Sequence, residues 1–555
     1  MPYFDDTDMS DKLAELKRHE EETLMSALAA KYGHTYVDLK GTTINTEALR
    51  LVGEDIARIA EVAVFERAGS RISIALRNPN KTHTKAVLEA LTAQGLAVTV
   101  FICSEASLVY AWARYHDIKQ TEASEKGVMS FVEKQVDEVS SRTKTLADVG
   151  VRINALAGSD HAHQVSEILE VILGSAIALH ASDVHIEPEE GVVRLRFRLD
   201  GVLVDVLDIP KPLYELLRSR LKLLSGLKLN KSDIAQDGRF TIAHDSKQLD
   251  IRSSIIPGGF GESIVMRLLD PSSAIKGIGD LGFNSVLRAV IEDEVKRPNG
   301  MIITTGPTGS GKTTALYALL RHIHTPEVKI ITLEDPIEYK IEGIVQTQVG
   351  EHYHFAEGLR AILRQDPDVI LVGEIRDREV AETALHAALT GHLVLSTLHT
   401  NSAAGAFPRL LDLGIDREMI GSAVNLIIGQ RLIRVLCNTC KKARAVREDE
   451  LTLMNTLLAG TTYVPAPTAT TVVYDAVGCT VCNGTGFRGR AGVYEGIRVT
   501  KEISDIVISD ARDASIEAVA LTQHIPTMQQ DGVFKVLSGD TSLEELTRVV
   551  DLRTS

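Results

Sequence analysis

Residues 301–314 read MIITTGPTGSGKTT, and they contain the pattern G-x-x-x-x-G-K-T from Gly306 to Thr313. The apolar run Met301–Thr305 predicts a short strand, and Thr314–His322 predicts a helix directly after the loop. Glycines let a backbone wrap a phosphate with its N–H groups pointing inward, and the helix N-terminus adds a favourable dipole. The order of strand, loop and helix therefore predicts a phosphate-binding loop rather than an accidental glycine-rich turn.

The residue types of this loop suit the triphosphate of ATP. We expect Lys312 to reach the β- and γ-phosphates and Thr313 to offer its hydroxyl to Mg²⁺. The predicted nucleotide-binding set is Gly306, Pro307, Thr308, Gly309, Ser310, Gly311, Lys312, Thr313 and Thr314.

Three apolar segments after the loop each end in polar residues. The segments are Lys329–Leu333, Asp368–Val372 and His392–Ser396. Glu334, Glu374 and His399 follow them in turn. Because ligands bind beyond the carboxyl ends of the strands in parallel α/β sheets, we expect these side chains to converge on the nucleotide.

Hydrolysis of ATP needs one carboxylate at the attacking water and another that holds Mg²⁺. We favour Glu374 on the Mg²⁺ side and Glu334 at the water, with His399 contacting the γ-phosphate, although the sequence leaves the division of roles between the two glutamates open. Each residue alone is more typical of a helix cap or a surface charge. Their joint occurrence after a phosphate loop favours catalysis.

The wider pattern places this loop in an α/β protein. Between Gly300 and Arg434 strands, loops and helices alternate, which predicts a parallel sheet with helices around it. A strand-rich block from Asp183 to about Asp270 precedes it. There, Val193–Leu199 alternates apolar residues with arginines, and Asp200-Gly201 predicts a hairpin turn.

The chain has five cysteines, and four of them form two C-x-x-C pairs. Cys437 with Cys440 and Cys479 with Cys482 fit a structural zinc site of four thiolates, in which no coordination position is open for catalysis. Cys103 stands alone in an apolar run and is predicted to be a buried small hydrophobic residue.

The segment Leu363–Asp377, with Asp366-Pro367-Asp368 and Gly373-Glu374, resembles the defining motif of the secretion ATPase superfamily of type II secretion and type IV pilus assembly. Ile330–Glu338 resembles the acidic box of that superfamily, and Leu393–Thr400 resembles its histidine box. The likeness extends from about His161 to the C-terminus. It implies a RecA-like P-loop motor domain with a smaller α+β (PAS-like) domain, assembled as a ring of six.

The same resemblance gives the arginine-rich strand a role. Three arginines on one strand face would otherwise indicate a solvent-exposed surface, because like charges repel. In this family the smaller domain supplies arginines to the nucleotide phosphates, and Arg196 and Arg198 match those positions. Arg239, Arg252 and Arg267 are further candidates. Chains with the zinc module resemble assembly (extension) ATPases rather than retraction ATPases.

The N-terminal region is similar to the N-terminal α/β domain of type II secretion ATPases. The likeness lies in Ala30–Gly33 and Tyr36–Leu39. Relatives that bind cyclic di-GMP carry an Arg-Leu-Gly type motif, which this sequence lacks. We therefore expect this region to dock on a membrane partner protein and not to bind cyclic di-GMP.

Four regions follow from these patterns. Residues 1–120 are predicted to form the docking domain, and the charged segment 121–160 a helical linker. Residues 161–290 are predicted to form the smaller strand-rich domain. Residues 291–555 are predicted to form the motor domain, with a zinc-binding insertion at about 434–496 and a helical C-terminal region.

Composition limits the classes of function. The formal net charge of the 555-residue chain is -15, which disfavours a protein that wraps duplex DNA, so we expect no nucleic-acid partner. No apolar run approaches the ~18 residues that span a bilayer. The acidic start Met1–Asp11 does not resemble a secretory signal. We expect a cytoplasmic protein at the inner face of the plasma membrane.

The leading hypothesis is an ATP-hydrolysing hexameric motor that powers assembly of a type IV pilus or a type II secretion pseudopilus. Its expected partner is an inner-membrane platform protein. The sequence does not separate pilus assembly from type II secretion or DNA uptake. Two alternatives are a DNA-uptake or conjugation-type translocation ATPase and a non-hydrolysing nucleotide-gated scaffold.

Overall fold

A computed structural model describes residues 21–115, 138–157, 164–244, 247–269, 277–461 and 465–553, except positions 43, 50, 70, 141 and 351. The chain divides into two compact units, Met1–Phe131 and Val132–Ser555. Most of the predicted linker, including 121–137 and 158–160, lies outside the described residues. Within the described residues, no helix combines the length and apolar character that a membrane span requires.

The N-terminal unit is built on a four-stranded sheet. Its strands are β1 (Thr35–Tyr36), β2 (Val62–Ala68), β3 (Arg71–Leu76) and β4 (Ala97–Ile102), in the order β1-β4-β3-β2. Its helices cover 21–32, Thr46–Leu49, Glu54–Ala60, Thr82–Ala93 and 105–115. Cys103 is fully buried in this core, as predicted.

The first lobe of the second unit is a six-stranded antiparallel sheet. Its strands are β5 (Asp183–Glu189), β6 (Val192–Leu199), β7 (Val202–Ile209), β8 (Gln236–His244), β9 (Lys247–Gly258) and β10 (Gly261–Leu269), in the order β7-β6-β5-β10-β9-β8. The predicted alternation in β6 is confirmed, because Val193, Leu195, Phe197 and Leu199 are buried. Asp200 and Gly201 both have positive φ, which suits the tight hairpin turn.

Helices cover one face of this sheet. They span Leu146–Ala157, Gln164–Ala178 and Lys211–Leu224. Val149 and Ile153 of the first helix are buried in the lobe's core, although the sequence placed them in the linker. The physical reason is their i, i+4 spacing, which puts both on one helix face. Arg194, Arg196 and Arg198 alternate with the buried residues of β6 and so lie on the opposite face.

The second lobe is organised around a seven-stranded sheet. Its strands are β11 (Gly300–Thr305), β12 (Ile330–Glu334), β13 (Val345–Gln348), β14 (Val369–Val372), β15 (Leu393–Leu398), β16 (Val424–Leu436) and β19 (Phe487–Arg498). The order is β13-β12-β14-β15-β11-β16-β19, and every pair is parallel except β16 with β19. The predicted parallel sheet is therefore confirmed.

Helices pack on both faces of this sheet. They span Ser285–Glu294, Lys312–Ile323, Phe355–Ile362, Arg378–Leu389, Ala406–Asp412 and Arg417–Ala423. Ile302 belongs to the core on one face and Ile303 to the core on the other, so β11 is buried on both sides. This burial explains why the strand before the phosphate loop is uniformly apolar.

The cysteine segment leaves the sheet after β16 and returns as β19. It contains the short hairpin of β17 (Lys442–Ala445) and β18 (Val472–Asp475) and the helix Glu448–Leu457. The sequence assigned most of β19 to the insertion, whereas the structure pairs it along β16 as a strand of the main sheet.

The chain after β19 is helical, as predicted. The helices span Lys501–Ser509, Asp513–Ala520, Met528–Leu537 and Leu543–Val549. Asp531 joins them to the motor sheet, because its carboxylate accepts hydrogen bonds from the backbone of Tyr494 and from Lys535.

Candidate active site

The phosphate loop lies between β11 and the helix Lys312–Ile323, at the carboxyl end of the sheet. Gly309 and Gly311 have φ values of 78° and 87°, which glycine adopts without strain. A Cβ on Gly306 would lie 2.5 Å from the Gln430 carbonyl oxygen, so a side chain is excluded there. The loop therefore depends on these glycines for its shape.

Lys312 is held inside the loop. Its Nζ donates to the carbonyl oxygens of Gly306 at 2.8 Å and Pro307 at 3.1 Å. Burial lowers the pKa of Lys312, while Glu374 favours its charged form. A buried ammonium held by loop carbonyls is placed to bind a phosphate that enters the loop.

Glu334 ends β12 in a polar network. Its Oε1 accepts from Thr332 Oγ1 at 2.5 Å and from Gln346 Nε2 at 3.3 Å, and its Oε2 accepts from the Tyr317 hydroxyl. The residue is 3% exposed, and burial raises the pKa of Glu334 against these donors, which lower it. The sequence did not indicate Tyr317 or Gln346.

Glu374 and His399 lie together at the ends of neighbouring strands. His399 Nε2 is 3.7 Å from Glu374 Oε2, and Arg376 contacts the other Glu374 oxygen. Burial, Lys312 and Arg376 all lower the pKa of His399. Gly373 allows the approach of β14 to β12, because a Cβ there would lie 3.2 Å from the Leu333 carbonyl oxygen.

One cavity of about 540 Å³ joins these groups, a volume typical of small-ligand sites. Its lining includes Gly309, Gly311, Lys312, Thr313, Thr314, Glu334, Glu374 and His399 from the motor lobe. Arg267 and Leu268 line it from the smaller lobe. The structure therefore brings the loop, both glutamates and the histidine around one space, and the second lobe contributes an arginine.

The predicted arginines occupy different places. Arg267 lines the cavity, and Arg252 donates to the Ile337 carbonyl oxygen at 2.9 Å. Arg196 contacts Glu187, and Arg198 lies 3.2 Å from Asp183. Arg196 and Arg198 are not among the cavity-lining residues.

Glu338 is a cavity residue that the sequence analysis left outside the predicted site. It lines the same space as Glu334, and its side chain is 38% exposed. Arg252 Nη1 lies 3.6 Å from its carboxylate. Its signal in the sequence was its place as the last of three acidic residues in Glu334–Glu338, four residues after Glu334.

The four paired cysteines form a separate cluster. Their sulfur atoms all lie within 4.8 Å of one another. Individual sulfur separations are 3.9 Å for Cys437 with Cys479 and 3.7 Å for Cys440 with Cys482. Zn–S bonds of ~2.3 Å in a tetrahedron require separations of ~3.8 Å, so the donor set fits zinc.

A parallel sheet with this phosphate loop, carboxylates beyond neighbouring strands and a second lobe at the nucleotide cleft defines a RecA-like P-loop ATPase. The comparisons with known proteins place it further. The family model described as "Type II/IV secretion system protein" matches residues 159–548, and the chain belongs to that family. The model described as "MshEN domain" matches residues 32–122.

Relatives with known names are similar over long stretches. The "Type IV pilus assembly ATPase PilB" of Myxococcus xanthus is 37% identical over 95% of this chain and 91% of its own length. The "Type II secretion system protein E" of Aeromonas hydrophila is 42% identical over 71% of this chain and 77% of its own. The family resemblance inferred from the motifs is confirmed.

Among solved structures, the Yersinia pseudotuberculosis ATPase DotB superposes with a TM-score of 0.50 and 20% identity. It covers 70% of this chain and 94% of its own. This likeness supports the fold alone. Together, fold and family establish the chain as an ATPase with a RecA-like motor domain.

Proposed function

We propose that this chain is an ATP-hydrolysing hexameric motor that powers assembly of a type IV pilus or a type II secretion pseudopilus. The observation that carries the proposal is the shared cavity. Arg267 of the smaller lobe lines the same space as Lys312 and Glu374 of the motor lobe. A nucleotide in that space contacts both lobes, so its hydrolysis changes the contact between them.

ATP binds with its phosphates in the loop Gly306–Thr313. The N–H groups of the loop and Lys312 neutralise the phosphates, and the N-terminus of the helix Lys312–Ile323 adds its dipole. Thr313 and Glu374 are the proposed ligands on the Mg²⁺ side, the second through water. When bound, Mg²⁺ neutralises charge that develops on the transferred phosphoryl group.

Two carboxylates compete for the role at the attacking water. Glu334 is the one that the sequence favoured, but three donors already engage its two oxygens. Glu338 lines the cavity and is more exposed. We propose that Glu338 orients the water, that Glu334 organises the end of β12, and that His399 contacts the γ-phosphate.

The smaller lobe completes the site in this proposal. An arginine that reaches the γ-phosphate only in the closed state is worth about 10³–10⁵ in rate in related phosphoryl-transfer enzymes. Arg267 is the first candidate because it already lines the cavity. Arg252 contacts the chain next to Glu338, whereas Arg196, Arg198 and Arg239 require a larger movement or a neighbouring copy.

The remaining assignments follow the family. We propose that residues 1–120 dock on a membrane partner and that the part of 121–160 before the helix Leu146–Ala157 forms a linker. That helix packs in the smaller lobe, and the domains 161–290 and 291–555 form the ring. The protein then works in the cytoplasm at the inner membrane, against a platform protein, without nucleic acid or cyclic di-GMP. The named pilus-assembly relative supports this view because its similarity includes the N-terminal region.

The proposal is tested by steady-state ATP hydrolysis with native mass for wild type, Lys312→Ala and Glu374→Ala. We expect a hexamer whose turnover both substitutions abolish. A hexamer that binds ATP and turns nothing over, even with its platform protein, would instead make the chain a nucleotide-gated scaffold. Salt-sensitive binding to duplex DNA would favour a DNA-translocating ATPase.

A further inference from the structure

The polar face of the six-stranded sheet carries one row of side chains that crosses five adjacent strands. Its members are successive cross-strand partners, in the order Arg198, Asp183, Arg267, Arg252 and Arg239, on β6, β5, β10, β9 and β8. Residues directly opposite one another in a sheet point to the same face. Four guanidinium groups therefore stand side by side with a single carboxylate among them.

Such a row does not stabilise the lobe by itself. Like charges directly opposite one another are unfavourable in a sheet. Glu338 of the motor lobe lies 3.6 Å from Arg252, and Arg267 shares Asp183 with Arg198, so Arg267 can still take an anion as a further partner. Two members of the row already reach the nucleotide cleft. Arg267 lines the cavity, and Arg252 contacts Ile337 beside Glu338.

Asp183 lies between Arg198 and Arg267 in this row and contacts both of them. Its carboxylate is almost fully buried, and each of its oxygens contacts a different arginine. Arg267 Nε donates to Oδ1 at 3.0 Å, and Arg198 Nε lies 3.2 Å from Oδ2. Ser182 Oγ donates to Oδ2 at 2.8 Å and fixes the orientation of the carboxylate.

The two arginines are thereby directed to different places. Arg198 also donates to the Gly201 carbonyl oxygen at 3.2 Å, which holds it at the hairpin turn. Arg267 is held through Nε, the inner edge of its guanidinium, while the side chain remains 57% exposed beside the cavity. A carboxylate on Nε fixes the plane of the guanidinium and leaves the terminal nitrogens for a planar contact with an anion.

We propose that Asp183 is the positioning residue that orients Arg267 toward the triphosphate. The inference rests on the proposed function and deepens it. It states that the orientation of Arg267 depends on Asp183, a residue that does not itself contact the nucleotide. The rotamers of a long side chain are costly to order, and a pre-oriented arginine avoids part of that cost when phosphate arrives. Asp183 acts through Arg267 and has no other part in the reaction.

The test compares Asp183→Asn with Glu189→Gln in the full-length chain. The first change keeps the shape of the side chain and removes its charge. The second removes the charge of another carboxylate that pairs with an arginine on the same sheet, since Glu189 Oε2 lies 3.0 Å from Arg194. We expect kcat of Asp183→Asn to fall by about 10- to 100-fold with little change in KM, and Glu189→Gln to match wild type.

The same substitution, Asp183→Asn, is then made in the Arg267→Ala variant, to show whether its effect on kcat requires Arg267. If Asp183 acts through Arg267, Asp183→Asn has no further effect on kcat once that arginine is gone. Wild-type kcat in Asp183→Asn would overturn the inference. The inference would also be overturned if Asp183→Asn lowered kcat by the same factor in Arg267→Ala as in wild type, because Asp183 would then act independently of Arg267.

A binding measurement tests the inference without requiring ATP turnover. It can therefore be read even if a variant is less stable or if the proposed function is wrong. In the cold, Asp183→Asn is expected to weaken a fluorescent ATPγS analogue more than the matching ADP analogue, since only the triphosphate extends toward Arg267. An unchanged ratio of the two affinities would contradict the inference. If wild type hydrolyses no ATP, the proposed function fails, and this ratio alone still decides the role of Asp183.

Discussion

At the scale of single residues, the acidic box at the end of β12 has two carboxylates, four positions apart, in different surroundings. Glu334 is engaged by Tyr317, Thr332 and Gln346, and burial raises its pKa. Glu338 faces the cavity beside Arg252. A carboxylate that orients water needs an acceptor oxygen directed at the substrate, and this requirement favours Glu338.

The first prediction separates the two glutamates by conservative substitution. Glu338→Gln removes the acceptor at the proposed water site, so we expect kcat to fall by about 10²–10⁴-fold while ATP affinity and the melting temperature stay near wild type. Glu334→Gln disturbs a buried network, so we expect the melting temperature to fall and kcat to decrease less. Steady-state kinetics and thermal unfolding of both variants check this assignment. A larger loss of kcat in Glu334→Gln than in Glu338→Gln would instead assign the orientation of the attacking water to Glu334.

Sequence reasoning found the parts of the site that have a fixed spacing. From the predicted set Thr308, Gly309 and Gly311–Thr314 line one cavity with Glu374 and His399, whereas Gly306, Pro307 and Ser310 are not among its lining residues. Sequence reasoning did not find Tyr317 or Gln346, because these residue types carry no signal by themselves. Their contact with Glu334 exists only in the folded structure. Arg267 and Asp183 are distant in the chain, and only the pairing of β10 with β5 joins them.

At the scale of elements, periodicity predicted the interior of strands and helices better than their ends. The alternation in β6 determined its buried face correctly. Strand β1 covers only Thr35–Tyr36 and is followed by a 3-10 helix at Leu39–Gly41, where the Asp38 side chain accepts a hydrogen bond from the Lys40 N–H. A local side-chain bond of this kind competes with strand pairing and is hard to see in an apolar pattern.

The extent of the insertion was the other element that the sequence misjudged. Phe487–Arg498 contains glycines and arginines and carries no clear strand pattern. Its conformation is set by pairing along β16, from Leu426 opposite Arg498 to Leu436 opposite Phe487. Pairing between residues 51 to 72 positions apart leaves no local signal, so the parallel core of the sheet could be predicted but not β19 at its edge.

The second prediction concerns the cysteine cluster as an element. The sulfurs of Cys437, Cys440, Cys479 and Cys482 lie at spacings that suit a tetrahedral zinc ion. We expect one zinc per chain by elemental analysis, and we expect Cys479→Ser to lose it. Hydrogen exchange should then rise between residues 437 and 486 while β11, β14 and β15 stay protected, because they lie inside the motor core.

Cys103→Ser is the matched control for this experiment. Cys103 is fully buried in the N-terminal unit and lies outside the cluster. The variant is expected to retain its zinc. Full zinc content in Cys479→Ser, or equal loss in Cys103→Ser, would show that the cluster is not the metal site.

At the scale of the whole molecule, the chain separates its chemistry from its N-terminal unit. Every residue of the candidate active site and of the cysteine cluster lies within Val132–Ser555. The N-terminal unit has its own sheet and its own buried core. This division is consistent with one unit for attachment and another for the motor.

The third prediction follows from that division. A chain that begins at residue 132 is expected to retain ATP turnover within about threefold of the full-length protein, because it keeps both lobes that line the cavity. It should lose recruitment to membranes that contain the docking partner. Hydrolysis assays and flotation with such membranes measure the two properties separately, and Lys312→Ala in the short chain provides the zero for turnover. Loss of turnover on truncation would mean that the N-terminal unit takes part in catalysis.

Strand β16 connects the nucleotide site to the cysteine cluster. Strand β16 lies beside the phosphate-loop strand, where Gly429 pairs with Thr305, and it ends one residue before the zinc-cluster residue Cys437. From Gly429 the strand continues for seven residues, or ~23 Å, to Leu436, and it is paired with β19 along this length. A tilt of ~5° about Gly429 would move Leu436 by ~2 Å. We therefore expect a small movement at the phosphate loop to be transmitted along this strand pair to the cysteine cluster.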